Sequence, residues 1–429
     1  MHLHRRIFLN SAAGLLVLLA IQIQYGCAAR AQGAVPVFSN TGHAAEAYGA
    51  SNGYPVPPAI IPLDKLTLDL MVGYYSHYDL LRPLRAVPTS PGPIALKRAA
   101  AEIAPVYGYD GRIKTLADYL DAHPVTGLLI ARDDTILYEH YRYGRTDRDR
   151  FMSQSMAKTV VAMLIGIAIE EKAIKSIDDP ASAYAAELAG TEFGATPIKA
   201  LLQMSSGIAY RETYLPDDDV YKLGYALFAP DSKGPIAAVA QFNTRAAPPG
   251  IRFNYSSADT EVLGLVLSRA VKMPIAEYLS VKIWSRLGAE ADAAWDIDPS
   301  GQEVAYCCMV ATLRDWARFA LMLANDGAWN GQQLVPRQWV IDATSAATDS
   351  RLAPGRLSPI LGYGYQTWIS AGERRRFSMI GIHGQNILVD PVTKIVLVHT
   401  AVRPNAAPSS SGVELSALWY AVLAQYGQR

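Results

Sequence analysis

Phe151-Met152-Ser153-Gln154-Ser155-Met156-Ala157-Lys158-Thr159-Val160-Val161 opens the stretch that decides how this chain folds. Met156, Val160, Met163, Leu164, Ile167 and Ala168 recur at helical spacing, and proline and glycine are nearly absent. The pattern predicts a largely buried helix from Ser155 to Lys172. A serine at its opening sits in the positive field of the helix N-terminus, which favours a developing alkoxide. Lys158 lies three residues on, and residues three apart share a helix face. Burial penalises the ammonium, so the pKa falls and the neutral amine can accept the serine proton. Ser-x-x-Lys alone is a common accident, since a capping serine near a solvated lysine gives the same letters. A lysine in the first turn of a buried helix needs a reason, and that shifts the balance toward chemistry.

Upstream, Gly127-Leu-Leu-Ile-Ala131 and Thr135-Ile-Leu-Tyr138 flank Arg132-Asp133-Asp134 and predict a β-hairpin. Downstream, Asp178-Asp179-Pro180 closes the first helix. Shorter helices are expected over Ile198 to Met204, Ser257 to Val271 and Leu313 to Asn325. Strands return at Phe377 to Ile382, Asn386 to Val389 and Ile395 to Thr400, and a helix closes the chain from about Val413 to Tyr426. Early and late strands can pair in one antiparallel sheet, with the helical block to one side: an α/β (α+β) architecture.

Two further stretches carry chemistry. Tyr255-Ser256-Ser257 follows the turn of Pro248-Pro249-Gly250 and precedes a helix, so Tyr255 stands at a loop-to-helix junction facing a cleft. The plainer alternative is a surface tyrosine with Ser256 or Ser257 as the helix cap. Gly381-Ile382-His383-Gly384-Gln385 places two glycines around a strand end, where a backbone can approach a ligand. An N–H there and the N–H of Ser155 would make the two halves of an oxyanion hole. The alternative is a β-bulge with a hydrogen-bonded histidine.

Together, Ser-x-x-Lys, a Tyr-x-Ser one hundred residues later and a Gly-flanked late strand resemble the serine β-lactamases, the penicillin-binding proteins and their esterase relatives. Leu201-Leu-Gln-Met-Ser-Ser-Gly207 and Ala311-Thr-Leu-Arg-Asp-Trp-Ala-Arg-Phe319 add to the likeness, which covers roughly residues 120 to 429. Within the family the 6-aminohexanoate-dimer hydrolases, which also cleave carboxylic esters, are the most similar branch. The resemblance implies the β-lactamase/transpeptidase-like fold with a mainly helical subdomain. It implies Ser155 as nucleophile, Lys158 as its base and Tyr255 as the proton shuttle to the leaving group. Ser257 would support that network, the Ile382 N–H would complete the oxyanion hole, and His383 and Tyr210 would contact substrate. Two departures stand out. The family's Lys-Thr-Gly, whose lysine binds a substrate carboxylate, is replaced around His383-Gly384-Gln385. Tyr306-Cys307-Cys308-Met309 stands where many relatives carry glycines.

The rest of the chain bounds this picture. Among its 429 residues, Lys plus Arg and Asp plus Glu each number 39, so no net charge draws it to nucleic acid or an anionic membrane. A small-molecule ester or amide substrate is expected, with no cofactor. No His-Glu-x-x-His or paired C-x-x-C spacing suggests a metal site. Residues 1–31 read as a signal peptide: Arg5-Arg6 resembles a twin-arginine signal, an apolar run from Ala12 to Ile21 follows, and Ala29-Arg30-Ala31 ends it. Periplasmic or secreted location, with no stable membrane insertion after cleavage, follows as an expectation; a lipid-modified Cys27 is the rival. Cleavage there leaves Cys307 and Cys308, and neighbouring cysteines are expected to stay unpaired. Residues 32–120 form an N-terminal extension packing on the core domain of residues 121–429. The function expected is a serine hydrolase forming an acyl-enzyme on Ser155. Its rivals are a penicillin-recognising D-amino-acid peptidase or weak β-lactamase, and a catalytically silent binding protein on the same fold.

Overall fold

The hairpin around Arg132-Asp133-Asp134 forms: Val125–Arg132 and Thr135–Tyr141 pair antiparallel, with Leu129 opposite Glu139 and Asp133 turning the chain at φ +55°. The computed structural model describes residues 35–346, 349–406 and 410–427; the expected signal peptide lies outside the described residues. Ile395–Ala401 joins the hairpin antiparallel, placing Val398 against Leu129. Gln385–Asp390, Phe377–Gly381, Trp368–Ser370 and Leu361–Tyr363 follow in order, each antiparallel to the last. Early and late strands therefore share one sheet, as the pattern predicted.

Helices cover both faces, which is why Ile395–Ala401 is buried at every position and opens on the apolar run Ile395-Val-Leu-Val398. Alternate residues take opposite sides. Leu129, Ala131, Val396 and Val398 meet the helices Met156–Glu170 and Leu313–Ala324 in the main core. Leu128, Ile130 and Leu397 meet Leu116–Ala122 and the C-terminal helix Ser410–Tyr426 through Leu418, Trp419 and Val422. No helix among the described residues is long and apolar enough to cross a membrane.

The helices begin and end where local chemistry says they should. Met156–Glu170 buries every residue from Met156 to Ala168, and Lys172, at φ +61°, turns the chain away just beyond its end. Ser256 Oγ caps Ser257–Val271 by accepting the Asp259 N–H at 3.1 Å, and Thr312 caps Leu313–Ala324 the same way through Asp315 at 3.2 Å.

The N-terminal part lacks long elements and so carries little periodic signal. Val37–Phe38 lies parallel to Thr135–Tyr141, and Tyr48 and Tyr54 pack edge-on against Tyr143. Short 3-10 turns lead to the helix Met71–Ser76, and Leu84–Val87 pairs with Ala293–Asp296.

One expectation is corrected. Cys307 and Cys308 are joined by a disulfide. The expectation assumed ordinary backbone between them, but they lie in a turn where Cys308 takes the left-handed conformation at φ +70°.

Candidate active site

Ser155 stands at the N-terminal end of the helix Met156–Glu170, directly after Gln154 in the left-handed region at φ +45°. The strand Phe377–Gly381 ends against this loop. A Cβ at Gly381 would meet the Ser153 carbonyl at 2.6 Å, so the strand edge reaches the serine only because that residue is glycine. Ser155 and Ile382 both border a cavity of about 340 Å³.

Lys158 is 1 % exposed, and its ammonium has three acceptors: Ser155 Oγ at 2.8 Å, Ser257 Oγ at 3.1 Å and the Tyr306 carbonyl at 3.1 Å. The Tyr255 and Tyr306 rings also lie 5.2 and 5.3 Å from Nζ. Burial lowers the Lys158 pKa to about 8, while Glu212 and Glu261 pull it upward. The hydrogen bonds then decide what the neutral amine does. The Tyr306 carbonyl can only accept, so one N–H stays on it. Ser257 Oγ donates its own proton to Glu212 Oε1 at 2.8 Å, so it too must accept from Lys158. Both N–H groups of the neutral amine are thereby committed, and its lone pair faces the Ser155 hydroxyl.

Glu212 was not visible in the sequence. It lies in an irregular stretch, between Tyr210 and the left-handed Tyr214, with no motif to mark it. Its carboxylate accepts from Ser257 N at 2.6 Å, Ser257 Oγ at 2.8 Å and Tyr214 OH at 2.9 Å. Three donors fix its orientation and with it the direction of the Ser257 hydroxyl.

Tyr255 stacks on Trp368 with ring centroids 5.6 Å apart and meets Tyr363 edge-on at 6.2 Å. Burial raises its phenol well above the ordinary value, Glu212 adds to this, and a hydrogen bond to Ser155 opposes it. The phenol is thus held neutral, in hydrogen-bond contact with the serine.

Two residues expected at the substrate are elsewhere. His383, at φ +59°, is 7 % exposed, faces the Tyr75 ring and bonds through Nδ1 to the Arg403 carbonyl at 2.6 Å. Held by these two partners, it is not among the residues that line the cavity. Burial also lowers its pKa, which keeps it neutral. Tyr210 packs edge-on against Phe242 at 5.0 Å, and Tyr214 borders the cavity in its stead.

The rest of the cavity is carbon-rich. Leu63, Tyr74, Val220, Tyr221, Tyr225 and Phe228 contribute to it, and Asp64 adds a second carboxylate beside that of Glu212 to its lining. Ile60 to Asp64, Tyr74 and Tyr78 come from the N-terminal part of the chain.

The chain is similar to known proteins in sequence and fold. The Beta-lactamase family model matches residues 113–411. A 6-aminohexanoate-dimer hydrolase of Paenarthrobacter ureafaciens is 29 % identical over 301 residues, 68 % of this chain and 76 % of that one. A solved structure from Bacillus anthracis, named as a candidate 6-aminohexanoate-dimer hydrolase, superposes with a TM-score of 0.75 at 26 % identity, covering 83 % of this chain and 95 % of its own. EstCE1, a hydrolase with promiscuous acyltransferase activity, shares the fold at a TM-score of 0.56 and 17 % identity, over 70 % of this chain and 93 % of its own. With a serine, a buried lysine and a tyrosine gathered at the end of one sheet, and with most of its length matched, the chain belongs to the Beta-lactamase family and is a serine hydrolase of that fold.

Proposed function

We propose that the chain hydrolyses uncharged carboxylic esters, and small amides more slowly, through an acyl-enzyme on Ser155. The observation that carries this is the hydrogen-bond inventory at Lys158, which leaves the neutral amine's lone pair for the Ser155 proton. Ser155 Oγ attacks the carbonyl carbon and its proton passes to Lys158. The N–H groups of Ser155 and Ile382 receive the oxyanion. Tyr255 gives its phenol proton to the leaving group and is reprotonated by the proton that Lys158 took from Ser155, and water then attacks the acyl carbon and releases the acid.

The cavity supports an uncharged substrate. Its walls present aliphatic and aromatic carbon, and Asp64 and Glu212 face a ligand carboxylate with like charge. The family's carboxylate-binding lysine is replaced here, and His383 is buried and does not line the cavity, so a penicillin finds no cation in either place. A charge-assisted hydrogen bond lost in this way weakens binding by about one to two powers of ten. The name of the Paenarthrobacter relative supports the amide activity.

The test compares kcat/KM for p-nitrophenyl butyrate, nitrocefin and 6-aminohexanoate dimer at pH 7.5, with a fluorophosphonate probe marking the nucleophile. The ester should be the best substrate and Ser155 the labelled residue. Nitrocefin as the best substrate would install the β-lactamase alternative, and no turnover with no labelling would leave a binding protein. Export belongs to the same proposal: Arg5-Arg6 and Ala29-Arg30-Ala31 support a mature N-terminus at Gln32 in the periplasm, readable by mass spectrometry.

A further inference from the structure

Cys307 and Cys308 border the cavity beside Ser155 and Ile382, and they are only 4 % and 5 % exposed. The residue before them supplies the carbonyl that holds Lys158. Hydrogen bonds anchor this turn on the sides away from the cavity. Glu261 accepts the Ala305 N–H at 2.9 Å, Trp295 Nε1 donates to the Cys307 carbonyl at 3.0 Å, and Asp296 N donates to the Cys308 carbonyl at 3.2 Å. On the cavity side the covalent tie is the disulfide itself. A bond between neighbouring cysteines closes a small ring through the peptide joining them, so the backbone next to Tyr306 loses freedom.

We propose that the Cys307–Cys308 disulfide is a positioning element of the active site, clamping the Tyr306 carbonyl onto Lys158 and forming a wall of the substrate cavity, so that a dithiol reductant lowers the enzyme's turnover. The proposal rests on the serine–lysine chemistry above. In the reduction the S–S bond breaks and two thiols form, while the dithiol gives up two electrons and two protons and closes to its own disulfide. The freed turn holds the Tyr306 carbonyl less firmly. The Lys158 ammonium then loses an acceptor, which disfavours the charged form. The neutral amine loses one of the two acceptors that direct its lone pair to Ser155. Reduction therefore slows the reaction and moves the acid limb of its pH profile to lower pH, a pairing that general loosening of the fold does not produce.

The experiment measures kcat and the pH profile for p-nitrophenyl butyrate hydrolysis by the whole enzyme before and after dithiothreitol, with iodoacetamide labelling and mass spectrometry to count thiols. The expected result is a fall in kcat of about tenfold, the size of one lost hydrogen bond to a charged group. The acid limb should move downward, and both changes should reverse when oxidised glutathione restores the bond. The double variant Cys307→Ser with Cys308→Ser should behave like the reduced enzyme, and it decides the matter where the native bond resists reductant. If that variant does not fold, the reduced wild type decides instead. Two free thiols in the aerobically purified enzyme, or an unchanged kcat and pH profile once the bond is gone, overturns the proposal. Ser155→Ala in the same assay separates the two ideas: its full activity would sink the serine mechanism, while its inactivity beside an unaffected reduced enzyme would sink the disulfide clamp alone.

Discussion

The floor of the cavity and its carbon-rich wall are built on different terms. On the floor, Lys158 Nζ has three partners and the Glu212 carboxylate three donors, so each proton has an assigned place. On the wall, Leu63, Val220, Tyr221 and Phe228 offer shape and carbon with little direction. Ser155, Lys158, Glu212, Ser257 and Tyr306 all fall within the stretch that matches the family, whereas Ile60 to Asp64, Tyr74 and Tyr78 come before it. The floor is a network in which one change disturbs every member. The wall is a sum of contacts, each replaceable at modest cost. On the proposed mechanism, reactivity is carried by the floor and selectivity by the wall.

Breaking the floor should cost most. Ser155→Ala or Lys158→Met is expected to lower kcat/KM for every ester by more than about a thousandfold, because nucleophile and base act as one unit. Comparable loss from a wall substitution would erase the distinction between the two regions. Next comes Tyr255→Phe, which removes the donor while keeping the ring on Trp368. It should cost about a hundredfold in kcat with KM little changed, the range of a positioned acid. An unaltered rate would transfer leaving-group protonation to water.

Glu212→Gln sharpens the comparison through pH. The base must be neutral, so kcat/KM should rise as pH passes upward through about 8 and level off above it. Glu212 raises the Lys158 pKa. Removing its charge lowers that pKa, so the limb should move to lower pH. A glutamine amide can also donate to Ser257 Oγ and turn that hydroxyl toward the lysine lone pair, so kcat above the limb should fall by about tenfold. A limb that stays in place would show that another group titrates. The smallest effect belongs to the wall. Phe228→Ala should lower kcat/KM for long-chain or aromatic esters by about fivefold while sparing p-nitrophenyl acetate, since only a large group loses apolar contact. Equal losses for both would make Phe228 part of the floor.

The same division governs what could be read from the sequence. The helix Met156–Glu170 was legible because burial on all sides enforces an apolar pattern, and Lys158 stood out against it. The late strands were legible because both faces are covered. Tyr255 and Ser257 were found through their spacing from Ser155 and the helix that follows. Glu212 was missed because its position depends on an irregular loop, where no period links residue type to direction. His383 was read as a substrate contact, but the Tyr75 ring and the Arg403 carbonyl hold it, and its letter does not record those partners. Sequence distance misled at Cys307 and Cys308, where the turn decides whether two thiols meet. The N-terminal stretch that lines the cavity, Ile60 to Tyr78, consists of 3-10 turns and one short helix, too brief to set up a periodic pattern.

Thr126 Oγ1 donates to Thr400 Oγ1 at 2.9 Å across 274 positions of chain. The strands that carry them sit side by side at the centre of the sheet, so the sheet closes only when both ends of the domain have been made. Closing so long a loop is entropically costly before any contact rewards it, and chains dominated by such pairings fold slowly. A growing polypeptide therefore holds Ser155 and Lys158 long before it holds the Gly381–Ile382 edge in place. On this order of events the site is completed late, once the strands that follow Gly381–Ile382 have paired with it and with Ile395–Ala401.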